Sequence, residues 1–176
     1  DETNADFQFF PGMDGANQIM FDYDGVDQDT YVFDYQVPMD ATGSKEMNEG
    51  VDRGIKLWAK GQAIEYNLTP LNSWTKHVLS YQVERNPHYL DRVQYRYLPF
   101  EIASLCLTIR VKGSRIWIVS VKGDEVWGLK IRSQNLASSL IGIHQSLWKL
   151  ATPITRDMIV AWGPNPYLQA EKIKKQ

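Results

Sequence analysis

The 176-residue sequence contains a single cysteine, Cys106, so the chain cannot form a disulfide within itself. Disulfides persist mainly in oxidising compartments, and their absence favours an intracellular location. Cys106 lies between Leu105 and Leu107 in an alternating apolar stretch, which predicts a buried structural thiol rather than a reactive one. The first residue is Asp1 rather than Met, which indicates a processed or trimmed chain.

The sequence also lacks long apolar runs and the short motifs of common enzymes. No run approaches the roughly 20 apolar residues that a membrane-spanning helix needs, so no transmembrane segment is predicted. There is no GxSxG, no P-loop and no GxGxxG, so the hydrolase, kinase and dehydrogenase classes have no motif to support them. We therefore expect a non-enzymatic protein without a cofactor.

Basic residues are nearly absent from the first part of the chain. Residues 1–50 contain twelve Asp or Glu and one base, Lys45, which gives a net charge of −11. Residues 51–176 contain eighteen Lys or Arg and nine acids, which gives +9. The length is typical of one domain, here 1–176, with an acidic N-terminal segment and a basic body. This division predicts that the acidic segment pairs with the basic body of its own chain or of a neighbouring copy.

Two similar turns divide the middle of the chain. Gly113-Ser114 and Gly123-Asp124 each interrupt a sequence in which apolar and polar residues alternate, as they do in half-buried strands. Gly in the first central position suits a type II′ turn, whose twist matches antiparallel strands. The near-repeat therefore predicts a three-strand meander over about 104–132.

Helical periodicity is strongest after the meander. An apolar stripe follows the capping residue Ser133 and predicts an amphipathic helix over about 134–151, with His144 packed beside the stripe. A weaker pattern predicts a helix over about 44–59. Further strands are predicted at 7–10, 18–23, 30–37, 63–68, 92–98 and 158–162, whereas 73–84 fits helix or strand. The predicted class is α+β, a mostly antiparallel sheet with helices on one face.

Basic and aromatic residues interleave on the predicted strands. Nucleic acid favours such a surface, because phosphates pair with cations and bases stack on aromatic rings; anionic lipid headgroups would suit the same cations. The alternative is an ordinary half-buried sheet with solvated cations and aromatics in the core. The candidate contacts to an anionic partner are Arg92, Arg96, Arg110, Lys112, Arg115, Lys122 and Arg132, and the candidate stacking residues are Tyr95 and Tyr97.

Four acids lie close together near residue 25 and form a weak candidate for a calcium site: Asp22, Asp24, Asp27 and Asp29. The EF-hand order fails, because Gly25 comes too early and no Glu stands at the twelfth position. We therefore expect a solvated acidic turn without metal.

The leading hypothesis is a self-associating structural or adaptor protein. Its acidic segment would contact another subunit, or another protein, and its basic sheet would face an anionic partner. The alternative is a nucleic-acid-binding protein that uses the Arg-, Tyr- and Trp-bearing strands. A small enzyme or a calcium-binding protein ranks third.

Overall fold

The computed structural model describes residues 5–22, 28–34, 49, 53–54, 56, 60–99 and 106–163, without the side chain of Trp74. The strands are β1 Asp6–Pro11, β2 Thr30–Phe33, β3 Glu65–Thr69, β4 Val93–Tyr97, β5 Thr108–Lys112, β6 Arg115–Lys122, β7 Glu125–Arg132 and β8 Thr152–Pro153. The helices are α1 Gly12–Met20, α2 Ser73–Arg85, α3 Gln134–Leu150 and α4 Arg156–Ala161, with a 3-10 turn at Tyr89–Asp91.

All eight strands join one mixed sheet in the order β1-β7-β6-β5-β2-β3-β4-β8. The two pairings of β3, with β2 and with β4, are parallel, and the other strand pairs are antiparallel. The predicted α+β class with a mostly antiparallel sheet is confirmed. In the described part of the chain, no helix is long and apolar enough to cross a bilayer.

The meander is confirmed as β5, β6 and β7, joined by two-residue turns. Gly113 and Gly123 have φ of 58° and 60°, and no described residue other than glycine has positive φ. Ser114 and Asp124 therefore have negative φ, which fits the predicted type II′ turn and excludes type I′. These turns set the register of the three strands.

Helices cover both faces of the sheet, so the expectation that they occupy one face was wrong. On one side, here called face A, Trp117 and Val119 pack against α1. On the other side, face B, Ile116 packs with Ala137 of α3. Parallel strands need crossover connections, and α2 supplies the one between β3 and β4. Because the crossover helices pack on the sheet, a sheet that contains parallel strands such as β2, β3 and β4 is normally buried on both faces.

The helix α3 matches its predicted bounds. The Ser133 hydroxyl accepts a hydrogen bond from the Leu136 amide at 3.3 Å and caps the first turn. His144 is 1% exposed, as a packing residue, and its Nε2 lies 3.0 Å from the Tyr66 carbonyl and 3.2 Å from that of Val32. Burial lowers the pKa of His144 to about 4, although these two carbonyls oppose the shift, so the ring is neutral near pH 7.

Several local predictions were wrong or lie outside the described residues. The prediction of a strand at 18–23 was wrong where the structure describes it, since residues 18–20 are the end of α1, where Ala16 and Ile19 form a helical face on the sheet. The strand predicted at 158–162 is α4, which begins where Thr155 caps Met158. The ambiguous segment 73–84 is helix α2. Most of the helix predicted at 44–59 lies outside the described residues, and those described within it (49, 53–54 and 56) are helical.

The prediction for the only cysteine was also wrong. Cys106 is exposed and precedes β5 instead of lying within it. Its Sγ lies 3.6 Å from Nζ of Lys122. β5 begins at Thr108, two residues after Cys106, which leaves the thiol outside the packed sheet.

Candidate nucleic-acid interface

Two rows of cationic side chains lie side by side on face A. In the first row the pairing register places Lys112 beside Arg115 and Arg115 beside Arg132. In the second row Trp117 lies between Arg110 and Lys130. Residues of neighbouring strands at paired positions point to the same face, so the meander gathers five cations at one end of the sheet.

Trp117 is the centre of this arrangement. Its side chain is 2% exposed. The ring centroid lies 5.1 Å from Cζ of Arg110, 5.8 Å from Cζ of Arg115 and 5.8 Å from Nζ of Lys130. The electron-rich ring attracts all three cations, which offsets part of their mutual repulsion. Trp117 therefore positions cations and does not offer an exposed ring for base stacking.

Asp22, just after α1, compensates part of the positive charge. Its carboxylate lies 2.8 Å from Nζ of Lys130 and accepts a hydrogen bond from Nε1 of Trp117 at 3.0 Å. Partial burial works to raise the pKa of Asp22, but the bonds from Lys130 and Trp117 and the charge of Arg110 outweigh it and lower the pKa. One carboxylate thus fixes a lysine and a tryptophan together.

Two of the predicted anion-binding arginines bind the ends of helices. Arg110 donates to the carbonyls of Ile19 at 3.2 Å, Met20 at 3.3 Å and Asp22 at 2.6 Å. Arg96 does the same at the end of α3, donating to the Trp148 carbonyl at 2.9 Å, with Cζ 4.9 Å from the Trp148 ring. Unpaired carbonyls and the negative end of the helix dipole favour a cation there.

Three further candidates lie inside the protein or partly inside it. Lys112 is 4% exposed. Tyr95 is 9% exposed, and its hydroxyl is hydrogen-bonded to that of Tyr89 at 2.7 Å. Burial raises the pKa of Tyr95 well above its ordinary value. Tyr97 is half-buried against the same cluster of core residues. Tyr95 therefore does not present a free ring face like those of single-strand-binding platforms.

The other predicted contacts are at the surface or partly exposed. Arg132 is exposed and Arg115 is half-buried, at the same end of the sheet. Arg92 is half-buried and donates to the Gln62 carbonyl at 3.1 Å. Lys122 is exposed at the far end of β6, roughly 23 Å from Arg115 for a strand of this length. We define the cationic rim as Arg115, Lys130 and Arg132, the accessible part of the two rows.

Two charged members of the site, Lys130 and Asp22, were not among the candidate contacts to an anionic partner. Lys130 was recoverable, because the turn at Gly123-Asp124 sets the register that pairs it with Trp117. Asp22 was considered only as a calcium ligand, since its segment was assigned to a strand. Its actual place follows from the C-terminus of α1, which local alternation does not predict.

Two of the four calcium candidates, Asp22 and Asp29, lie in the part of the chain that the structure describes. Asp22 binds Lys130, and Asp29 accepts a hydrogen bond from the Ile64 amide at 2.9 Å. Asp24 and Asp27 lie outside the described residues. Over the described ranges, no group of three or more His, Cys, Asp or Glu side chains is placed to hold a metal ion.

Face A also carries two carboxyl groups beyond the cationic rows, one buried on Glu65 and one half-buried on Asp34. Glu65 is 9% exposed and accepts a hydrogen bond from Nδ2 of Asn67 at 3.0 Å. Shielding from solvent and the charge of Glu65 raise the pKa of Asp34 to about 7, against a hydrogen bond from Thr108. Burial also raises the pKa of Glu65, against the bond from Asn67 and the charges of Arg110 and Lys112.

Comparison with known proteins gives a likeness of fold only. No protein-family model matches the chain, and no curated protein matches its sequence. The structure of TrmBL2, described as an archaeal chromatin protein with a novel mode of DNA binding, superposes with a TM-score of 0.52 at 10% identity. The match covers 84% of this chain and 54% of that one, so this chain spans about half the length of TrmBL2.

A second similar structure is Nuc from Salmonella typhimurium, a phospholipase D family member. It matches with a TM-score of 0.49 at 9% identity, over 86% of this chain and 99% of that one.

Proposed function

We propose that the protein binds nucleic acid through the phosphate backbone, with the cationic rim as the contact surface. The observation that carries the proposal is the pair of cationic rows around Trp117, which holds five positive charges at one end of face A. A cation fixed in advance loses less conformational freedom when it meets a phosphate. TrmBL2, which has a similar fold, is described as binding DNA, and this supports the proposal of nucleic-acid binding.

The contacts expected from this surface are electrostatic and independent of sequence. Arg115 and Arg132 carry guanidinium groups, which suit bidentate contacts to phosphate oxygens. The aromatic rings near the rows are buried or half-buried, so stacking on bases is not part of the proposal. Binding should therefore weaken steeply as salt rises, because each phosphate contact releases condensed counterions.

The experiment is a titration of a fluorescent mixed-sequence duplex at several NaCl concentrations, read by anisotropy. The double variant Arg115→Gln/Arg132→Gln should lower the affinity by roughly tenfold or more at low salt and reduce the salt slope by about 2. A matched control, Lys122→Gln/Lys149→Gln, removes the same charge from exposed positions elsewhere. Undetectable binding at low salt, or equal losses from both double variants, would contradict the proposal.

The acidic segment has a role in this proposal within its own chain. The pairing register places Asp6 beside Arg132, and Asp22 forms an ion pair with Lys130. This register and this ion pair both favour the hypothesis that the acidic segment docks on the basic body of its own chain. Self-association through this segment, with an adaptor role and no enzymatic activity, stays a prediction.

A further inference from the structure

The strand β1 combines an open backbone edge with two exposed aromatic side chains. It is the first strand in the sheet order, and no strand in the described part of the chain pairs with its outer edge. Phe7 and Phe9 are 60% and 63% exposed. Because side chains alternate along a strand, both rings project from face B, where their paired residues are Ile131 and Leu129.

Natural sheet edges are usually protected against pairing with another chain by lysines, prolines, bulges or a covering element. The strand DFQFFP contains no lysine, and its proline is the last residue. Its only charged residue is Asp6, at the opposite end. The central positions therefore carry no charge that would repel an approaching strand.

The sequence of β1 is self-complementary when two copies pair antiparallel. Phe7 and Phe9 flank Gln8, so an antiparallel copy related by a two-fold axis through Gln8 places each Phe7 opposite Phe9 of the other copy. Shifting the axis to Phe7 or Phe9 would set one of the two rings opposite Ala5 or Pro11 instead. Cross-strand aromatic pairs stabilise antiparallel strands, and a two-fold interface needs this kind of self-complementarity.

We propose that two copies of the chain pair through their β1 edges, antiparallel about Gln8, and continue one sheet through the dimer. Phe7 and Phe9 are 60% and 63% exposed before pairing, so the four rings can bury at most roughly 500 Å² together, given 150–250 Å² for a whole aromatic side chain. Even with the paired backbone, the interface does not exceed the lower limit of the 1,200–2,000 Å² typical of specific complexes, and it falls among the weak ones. A micromolar dimer is therefore expected.

This inference is independent of nucleic-acid binding, but it has a consequence for it. A two-fold axis perpendicular to the sheet keeps face A of both copies on the same side. The two cationic rims would then lie on one continuous surface, with the two β1 strands between them.

Sedimentation velocity tests the dimer, from low micromolar to several hundred micromolar protein at high salt without nucleic acid. The wild type should shift from monomer to dimer. The variant Phe7→Ser/Phe9→Ser should raise the dissociation constant at least roughly tenfold. The control Leu150→Ser/Val160→Ser removes two side chains that are each 70% exposed elsewhere, and it should dimerise as the wild type does.

A cross-link tests the register and does not depend on the phenylalanine variants. In a Cys106→Ser background, Gln8→Cys should form a covalent dimer on mild oxidation, since directly opposed Cα atoms lie within disulfide range. Asp6→Cys should not, because the two-fold axis separates the two Asp6 positions by roughly 14 Å. A monomer at every concentration, a dimer unaffected by Phe7→Ser/Phe9→Ser, or equal cross-linking at both positions would overturn the proposal.

Discussion

Arg110 and Trp117 face each other across β5 and β6, with the guanidinium carbon 5.1 Å from the indole centroid. The same guanidinium binds three carbonyls at the end of α1. One side chain thus joins the sheet, the helix and the cationic rows. The position of the cationic rim depends on this contact.

Replacing Arg110 by Leu should destabilise the protein by about 1–3 kcal/mol, because the α1 carbonyls lose their donors and Trp117 loses a cation. Arg110→Lys should recover part of the loss, since an ammonium group keeps the charge but cannot span three carbonyls. Urea denaturation measures both changes. Equal stability of the wild type and Arg110→Leu would show that the helix end does not need the guanidinium.

The pKa of Asp34, raised to about 7, predicts a pH-dependent stability. As the pH rises, the Asp34 carboxyl loses its proton near its ordinary pKa of 3.8 in the unfolded state but only near pH 7 in the folded state. The free energy of unfolding therefore decreases as the pH rises from about 4 to about 7. Asp34→Asn should remove this contribution and be more stable than the wild type at pH 8, by about 2–4 kcal/mol.

The measurement is a series of urea denaturations of both proteins from pH 5 to pH 8. His144, with its lowered pKa, gives the opposite slope below about pH 6.5, but it is present in both proteins and cancels in the difference. If the free energies of unfolding of the two proteins differ by the same amount at every pH from 5 to 8, the titration of Asp34 does not cause the pH dependence of stability.

Gly128 lets α1 approach the sheet. A Cβ at this position would lie 2.6 Å from Cγ1 of Ile19 and 2.9 Å from the backbone oxygen of Gly15. Gly128→Ala should therefore shift α1 away from β7 and cost about 1–3 kcal/mol. Gly142→Ala is the matched control, since nothing lies within 4 Å there, and it should be neutral or stabilising by up to about 1 kcal/mol.

Thermal denaturation followed by circular dichroism compares the two alanine variants with the wild type. A lower midpoint for Gly128→Ala alone is expected. Similar midpoints for both variants would mean that α1 tolerates a wider separation from the sheet.

Local sequence signals predicted the meander and α3 well, because Gly113, Gly123 and Ser133 mark turns and a cap with little dependence on the rest of the fold. The same signals failed for α1 and α4, which are short helices with few periodic positions. For segments of this length, packing on the sheet decides between helix and strand.

The long-range part of the site was not predictable by the same means. Arg96 binds carbonyls 52 and 55 residues away, and Arg110 binds carbonyls 88 to 91 residues away. No local pattern specifies such a partner. The parallel pairing of β2, β3 and β4 is equally non-local, so the sequence indicated strands without their order.

The pairing of β1 with β7 also has a consequence for synthesis on the ribosome. Asp6 pairs with Arg132, so the first strand of the described chain is made more than a hundred residues before its partner. At typical elongation rates this interval is about 6–25 s. During that time Phe7, Phe9 and Phe10 cannot pair with β7, and unpaired apolar strands of this kind favour aggregation of a nascent chain.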